Sequence, residues 1–183
     1  MARDPAQLPP VADHLASLSR ALNTMLRSAT LSDAHLLAYQ RRAMFTEMGL
    51  LTEADGPAFD RAMVDYISRA MPAGTFYAWL IESDGRAVAG GGLQLRTLMP
   101  RPGFVDGEVE GLIVSMWTEP EYRRRGLGRR IVEAILGWCD AHSLRRVTLH
   151  ASNDGRPLYE LYGFRGTNEM RLECRPGDSL LAP

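Results

Sequence analysis

Residues 123–130, RRRGLGRR, set five arginines and two glycines in eight positions, between an apolar, β-prone run and a stretch with helical periodicity. A strand-to-helix junction of this kind is a natural anion site. The first N–H groups of a helix have no internal partners and carry partial positive charge. Gly126 and Gly128 let the backbone approach a ligand closely and take φ values that a Cβ disfavours. Arg123, Arg124, Arg125, Arg129 and Arg130 surround that point with charge, with Leu127 between the glycines. The chemistry this spacing supports is phosphate binding. It is neither a Walker loop, which needs Gly-Lys-Ser/Thr, nor a GxGxxG dinucleotide fingerprint, and the chain contains no Lys at all.

Such a cradle needs a strand to deliver it and a helix to carry it away. Residues 108–118 read as that strand, ended by Pro120, and Ile131, Ile135 and Trp138 form one stripe of a helix running to about residue 143. Upstream, residues 25–29 form a short first strand. Thr30 or Ser32 caps a helix carrying Leu36, Leu37, Met44 and Met48. A second helix follows with Phe59, Met63, Ile67 and Ala70 as its stripe. Residues 76–82 and 87–97 are strands joined through Asp84-Gly85, a hairpin signal. Gly90, Gly91 and Gly92 weaken the second of these and mark a bulge or a close contact. Residues 146–150 give a fifth strand, 156–162 a short helix and 169–174 a last strand. A Pro-rich start and a helix over 11–22 precede all of this.

The 183 residues suffice for one domain with its own core. A net charge of -1 argues against a dedicated nucleic-acid binder, and no apolar run is long enough for a membrane span. Cys139 and Cys174 have no metal-ligand spacing and read as buried, inert thiols in a reducing cytoplasm. His14, His35, His142 and His150 show no metal pattern, so no metal site is expected.

Two motifs carry a family resemblance. Arg123-x-x-Gly126-x-Gly128 after a Pro-ended strand resembles the pyrophosphate motif of the GCN5-related N-acetyltransferases, and residues 149–164, LHASNDGRPLYELYGF, look like the closing motif of the same superfamily. The resemblance implies an α/β (α+β) fold, with a mixed, mostly antiparallel sheet of about six to seven strands flanked by helices and with its central strands splayed. It assigns 1–23 to an N-terminal extension, 24–176 to the acetyltransferase domain and 177–183 to a tail.

The implied donor is acetyl-CoA and the implied acceptor a small-molecule primary amine, joined by direct attack in a ternary complex; homodimers are a habit of the family. The backbone of Met116, Trp117 and Thr118 would line the pantetheine arm, with an N–H near Met116 facing the thioester carbonyl. The amides and side chains of Arg123, Arg124, Arg125, Gly126, Leu127, Gly128 and Arg129 would hold the pyrophosphate, and Ser152 and Asn153 a further cofactor contact. Tyr159 is the expected proton donor to the departing sulfur, with Tyr162 a turn away on the acceptor side. Glu110 is the candidate base, because it shares strand parity with Leu112 and Met116. Phe45, Glu47 and Met48, with Trp117, are expected to shape the acceptor pocket. Two other readings stay open at this level, a protein or peptide N-acetyltransferase and a catalytically silent acyl-CoA sensor.

Overall fold

Apolar alternation around Asp84-Gly85 makes residues 76–98 pair with themselves. β2 (Phe76–Ser83) and β3 (Arg86–Leu98) form an antiparallel hairpin in the computed structural model, which describes residues 24–105 and 107–172. Asp84 and Gly85 sit at φ 51° and 76°, the left-handed values a tight hairpin turn needs. β1 (Thr24–Ser28) pairs antiparallel with β2, β4 (Glu108–Thr118) antiparallel with β3, and β5 (Arg146–Leu149) parallel with β4. The sheet order is β1-β2-β3-β4-β5, five strands and mixed, so the expected class holds with fewer strands than the six to seven anticipated. Residues 169–172 form no strand. The remainder of that expected strand, Cys174, the helix over 11–22 and the tail lie outside the described residues.

Helices cover both faces of this sheet because the strands alternate their apolar side chains. α1 (Ala34–Glu47) and α2 (Gly56–Ala70) pack on one face, where Ala34, Leu37, Ile67 and Ala70 meet Phe76, Ala78 and Leu80 in one buried cluster. The odd positions of β2 point the other way. Tyr77 and Trp79 lie 4.4 and 6.4 Å, centroid to centroid, from Trp138 of α3 (Leu127–Ala141). Ile131, Val132 and Ile135 of α3 are fully buried, each contributing about 1.5–3 kcal/mol by area.

The glycine run on β3 is explained by close approach on both faces. A Cβ at Gly90 would collide with the Gln40 side chain of α1, one at Gly91 with Met116 and with Ile131 Cγ2 at 2.6 Å, and one at Gly92 with the Phe76 ring at 2.7 Å. The chain divides into two compact units at His150/Ala151. The second carries α4 (Arg156–Glu160), preceded by a turn in which Ser152 Oγ accepts from the Gly155 N–H at 3.1 Å. Among the described residues no helix is long and apolar enough to cross a membrane.

Candidate functional site

β4 changes register halfway along, and the site begins there. Val114 pairs with Gly92 but Trp117 pairs with Gly90, so Ser115 and Met116 together oppose the single residue Gly91. Ser115 takes φ 56°, an unusual value for a residue with a side chain. On the opposite edge β5 accompanies β4 only from Glu110 to Ile113. From Val114 to Thr118 that edge has no partner strand among the described residues, so β4 runs on alone beyond the end of β5. This is the fork that the splayed-strand expectation required, and it leaves Met116, Trp117 and Thr118 without a strand partner on that edge among the described residues. The indole N–H of Trp117 is buried without a hydrogen-bond partner among the described residues.

The loop beyond the fork forms a nest of amides. Arg124 and Gly126 sit at φ 60° and 78°, and Gly126 is the N-cap of α3. The first backbone bond into the helix is Arg130 N–H to Gly126 C=O at 3.2 Å, and the N–H groups of residues 124–128 donate to no backbone acceptor among the described residues. Successive free amides on a left-handed loop that leads into a helix form a concave anion site.

The side chains around that nest depart from the expected ring of charge. Arg123 donates to Thr118 C=O at 2.9 Å and forms a two-pronged pair with Glu47 at 2.8 and 2.6 Å, while its guanidinium lies 5.0 Å from the Trp117 ring centroid. Arg125 donates to Glu121 C=O at 2.6 Å and covers Tyr122. Arg129 pairs with Glu133 at 3.2 Å, and Arg130 reaches back to Thr24. Arg124 is exposed and, among the described residues, has no partner. The nest therefore relies on amides and Arg124, and the neighbouring arginines brace the loop.

Two expectations for carboxylates change in the structure. Glu110 is 3% exposed, and it is claimed on both oxygens, by Arg96 on one and by Arg146 Nε at 2.6 Å on the other. Burial would raise its carboxyl, but the hydrogen bonds from Arg146 and Arg96 outweigh that and hold it below the ordinary range. It also lies on the face of the sheet opposite Met116, with which strand parity grouped it. Val114, of the same parity, packs with the α1–α2 cluster, whereas Met116 meets Gly91 and Ile131 on the α3 face, because the extra residue of the bulge reverses the alternation. Glu47, expected to receive a cationic amine, is instead neutralised by Arg123, whose hydrogen bonds lower its carboxyl despite some desolvation. Phe45 stacks edge-on with Phe59 at 5.7 Å, and Met48 is 52% exposed.

Sequence reasoning passed over Arg41. Its Nη1 donates to Ser115 Oγ at 2.7 Å, so a long side chain from α1 fastens the bulge from the α1–α2 side. The glycine run was the one signal pointing to this place. In the second unit, Tyr159 is buried and meets Phe164 edge-on at 6.0 Å, and burial raises its phenol above the ordinary value. Ser152 Oγ is occupied by the Gly155 amide, Asn153 is exposed and Tyr162 is half-buried.

A sheet covered on both faces, forked at a bulged central strand and followed by an amide nest at a helix start is the architecture of an acyl-transfer fold. The chain belongs to the acetyltransferase (GNAT) family, which it matches over residues 42–164. It is 32% identical over 73 residues to the uncharacterized N-acetyltransferase YafP of Escherichia coli (strain K12), covering 40% of this chain and 45% of YafP. It is 30% identical over 90 residues to the glucosamine 6-phosphate N-acetyltransferase of Trypanosoma brucei brucei, covering 49% and 58%. The matched part thus spans about half the length of these curated relatives. A predicted acetyltransferase from Clostridium acetobutylicum, solved with acetyl-CoA, shares the fold with a TM-score of 0.74 at 24% identity, over 83% of this chain and 96% of that one. A GCN5-related N-acetyltransferase from Ralstonia eutropha JMP134 gives 0.74 at 26% identity, over 82% and 98%.

Proposed function

We propose that this chain is an N-acetyltransferase that moves the acetyl group of acetyl-CoA to the primary amine of a small, amino-acid-like acceptor by direct attack in a ternary complex. One observation carries the reading, the run of free amides at residues 124–128 lying next along the chain from the unpartnered edge of β4. The amides suit a pyrophosphate, and the edge suits an amide-bearing arm that adds to it as a strand would. Bound acetyl-CoA supplies an activated acyl group, and every other task falls to the chain. The amides of residues 124–128 and the Arg124 guanidinium hold the diphosphate. The backbone of Met116, Trp117 and Thr118 orients the arm, with an N–H near Met116 donating to the acyl oxygen. Tyr159 donates its proton to the departing sulfur, a role suited to a phenol kept neutral by burial. Glu110 takes no part in proton transfer, because two guanidiniums occupy both of its oxygens and lower its basicity.

Calorimetric titration with acetyl-CoA, followed by a thiol-release assay against pooled amines, tests the reading. Saturable binding with amine-dependent thiol release is expected, and Tyr159→Phe is expected to lower kcat by about 100-fold. Binding without release from any amine would favour the silent sensor, and absence of binding would remove the assignment of the amide nest. A wild-type rate in Tyr159→Phe would pass the proton to Tyr162 or to water.

A further inference from the structure

The α1–α2 face of the sheet holds a cavity of about 270 Å³ lined by Arg41, Met63, Tyr66, Phe76, Gln94 and Val114. Half of this lining is apolar, and the polar half is short of partners. Arg41 bonds to Ser115 Oγ and lies 4.8 Å from the Phe45 ring centroid, but no carboxylate among the described residues pairs with it. Its helix neighbour Arg42 does have one, as do Arg27, Arg96, Arg101, Arg123 and Arg146 on the sheet and its loops. The Tyr66 hydroxyl and the Gln94 carboxamide likewise form no hydrogen bond with a described residue. Burial lowers the Arg41 guanidinium from its ordinary value, only partly offset by the Tyr66 phenol, which marks the cost of keeping this charge uncompensated.

We infer that this cavity is the acceptor subsite and that Arg41 is its receptor for a carboxylate. The acceptor is then a small amino acid or a close analogue, with its carboxylate on the guanidinium fork, Tyr66 and Gln94 donating to it, and its carbon chain against Met63, Phe76 and Val114. One guanidinium with two neutral donors matches a singly charged group. The Arg41–Ser115 bond places that charge beside the bulge, so a short acceptor anchored there presents its amine towards the open edge of β4. The inference rests on the acetyl-transfer reading for the amine's purpose, but the binding it describes can be measured without turnover.

The test compares N-acetylglycine and N-acetylalanine with their carboxamides by calorimetry on the full chain, in wild type, Arg41→Gln and Arg41→Lys. In parallel, thiol release is measured with free amino acids and amino-acid amides. In wild type the acids bind at least about tenfold tighter than the amides. Arg41→Gln removes the difference and Arg41→Lys restores part of it, with cooperative thermal unfolding retained. Equal binding of acid and amide by wild type, or a difference that survives in folded Arg41→Gln, overturns the inference. Should Arg41→Gln not fold, Tyr66→Phe combined with Gln94→Leu must narrow the difference, and an unchanged difference there overturns it equally. An acid preference in binding with no thiol release from any amine sinks the acetyl-transfer reading and leaves the carboxylate receptor standing. Thiol release from acids and amides at equal kcat/KM, with equal binding, does the reverse.

Discussion

Arg146 holds one oxygen of Glu110 at 2.6 Å and Arg96 holds the other, so this carboxylate acts as a cross-strand clasp joining β3, β4 and β5. In sequence it is an acidic residue on a central strand, two positions before Leu112, and nothing there reveals that its neighbours across the sheet are Arg96 and Arg146. The identity of a residue is legible, whereas the charges opposite it depend on strand register. Glu110→Gln is therefore expected to cost about 1–3 kcal/mol of stability, at the low end for a buried pair because both arginines are half-exposed. Turnover should remain within a few-fold of wild type. Chemical denaturation and steady-state kinetics on the one variant separate the roles, and a 100-fold loss of kcat at unchanged stability would return Glu110 to the proton-transfer path. Glu47 teaches the same point, since its partner Arg123 lies 76 residues further on.

At the level of elements, periodicity placed the five strands and four α-helices of the described residues in the right order, the Asp84-Gly85 turn fell where predicted, and the expected last strand does not form over residues 169–172. Periodicity failed at the bulge. A period-of-two reading carried from Glu110 to Met116 assumes an unbroken ladder, and one inserted residue at Ser115 reverses every assignment beyond it. Three consecutive glycines on the neighbouring strand were the visible trace of that insertion, because Gly91 is where Met116 and Ile131 converge. Gly91→Ala should destabilise the fold by about 1–3 kcal/mol and weaken acetyl-CoA binding by displacing Met116. Gly137 on α3 is the matched control, with nothing within 4 Å of an added Cβ. Gly137→Ala should be neutral or stabilise by up to about 1 kcal/mol. Thermal melts of the two variants decide the matter, and equal melting temperatures would show that the contact at Gly91 relaxes without cost.

For the molecule as a whole, family membership was legible because its motifs are local in sequence, and the proposed acceptor cavity was not, because it is assembled from five elements. Global stability has its own electrostatic signature. Arg27 on β1 pairs with Glu82 on β2 at 2.7 Å and with Asp33, just before α1, at 2.8 Å, so one guanidinium ties the sheet edge to the first helix. The hydrogen bond from Arg27 lowers the Asp33 carboxyl from 3.8 to about 2. A depressed carboxyl contributes stability that is complete above its unfolded value and disappears as pH falls through the folded one, here between about pH 4 and pH 2. The shift corresponds to about 2 kcal/mol, somewhat less for the solvent that reaches the pair. Urea midpoints for wild type and Asp33→Asn should converge across that window, and a constant gap from pH 5 to pH 2 would assign the stability elsewhere.

The unpartnered stretch of β4 has a further meaning for the protein between turnovers. Among the described residues, the backbone from Val114 to Thr118 offers one edge to any extended segment that reaches it; none of these five residues is charged, and the Arg123 guanidinium meets their backbone at Thr118 C=O. The edge proposed to take a cosubstrate arm is thus also a template for unwanted strand addition. On the proposed function, occupancy by that arm would shield the edge from a second chain, and an empty cleft would leave it unguarded.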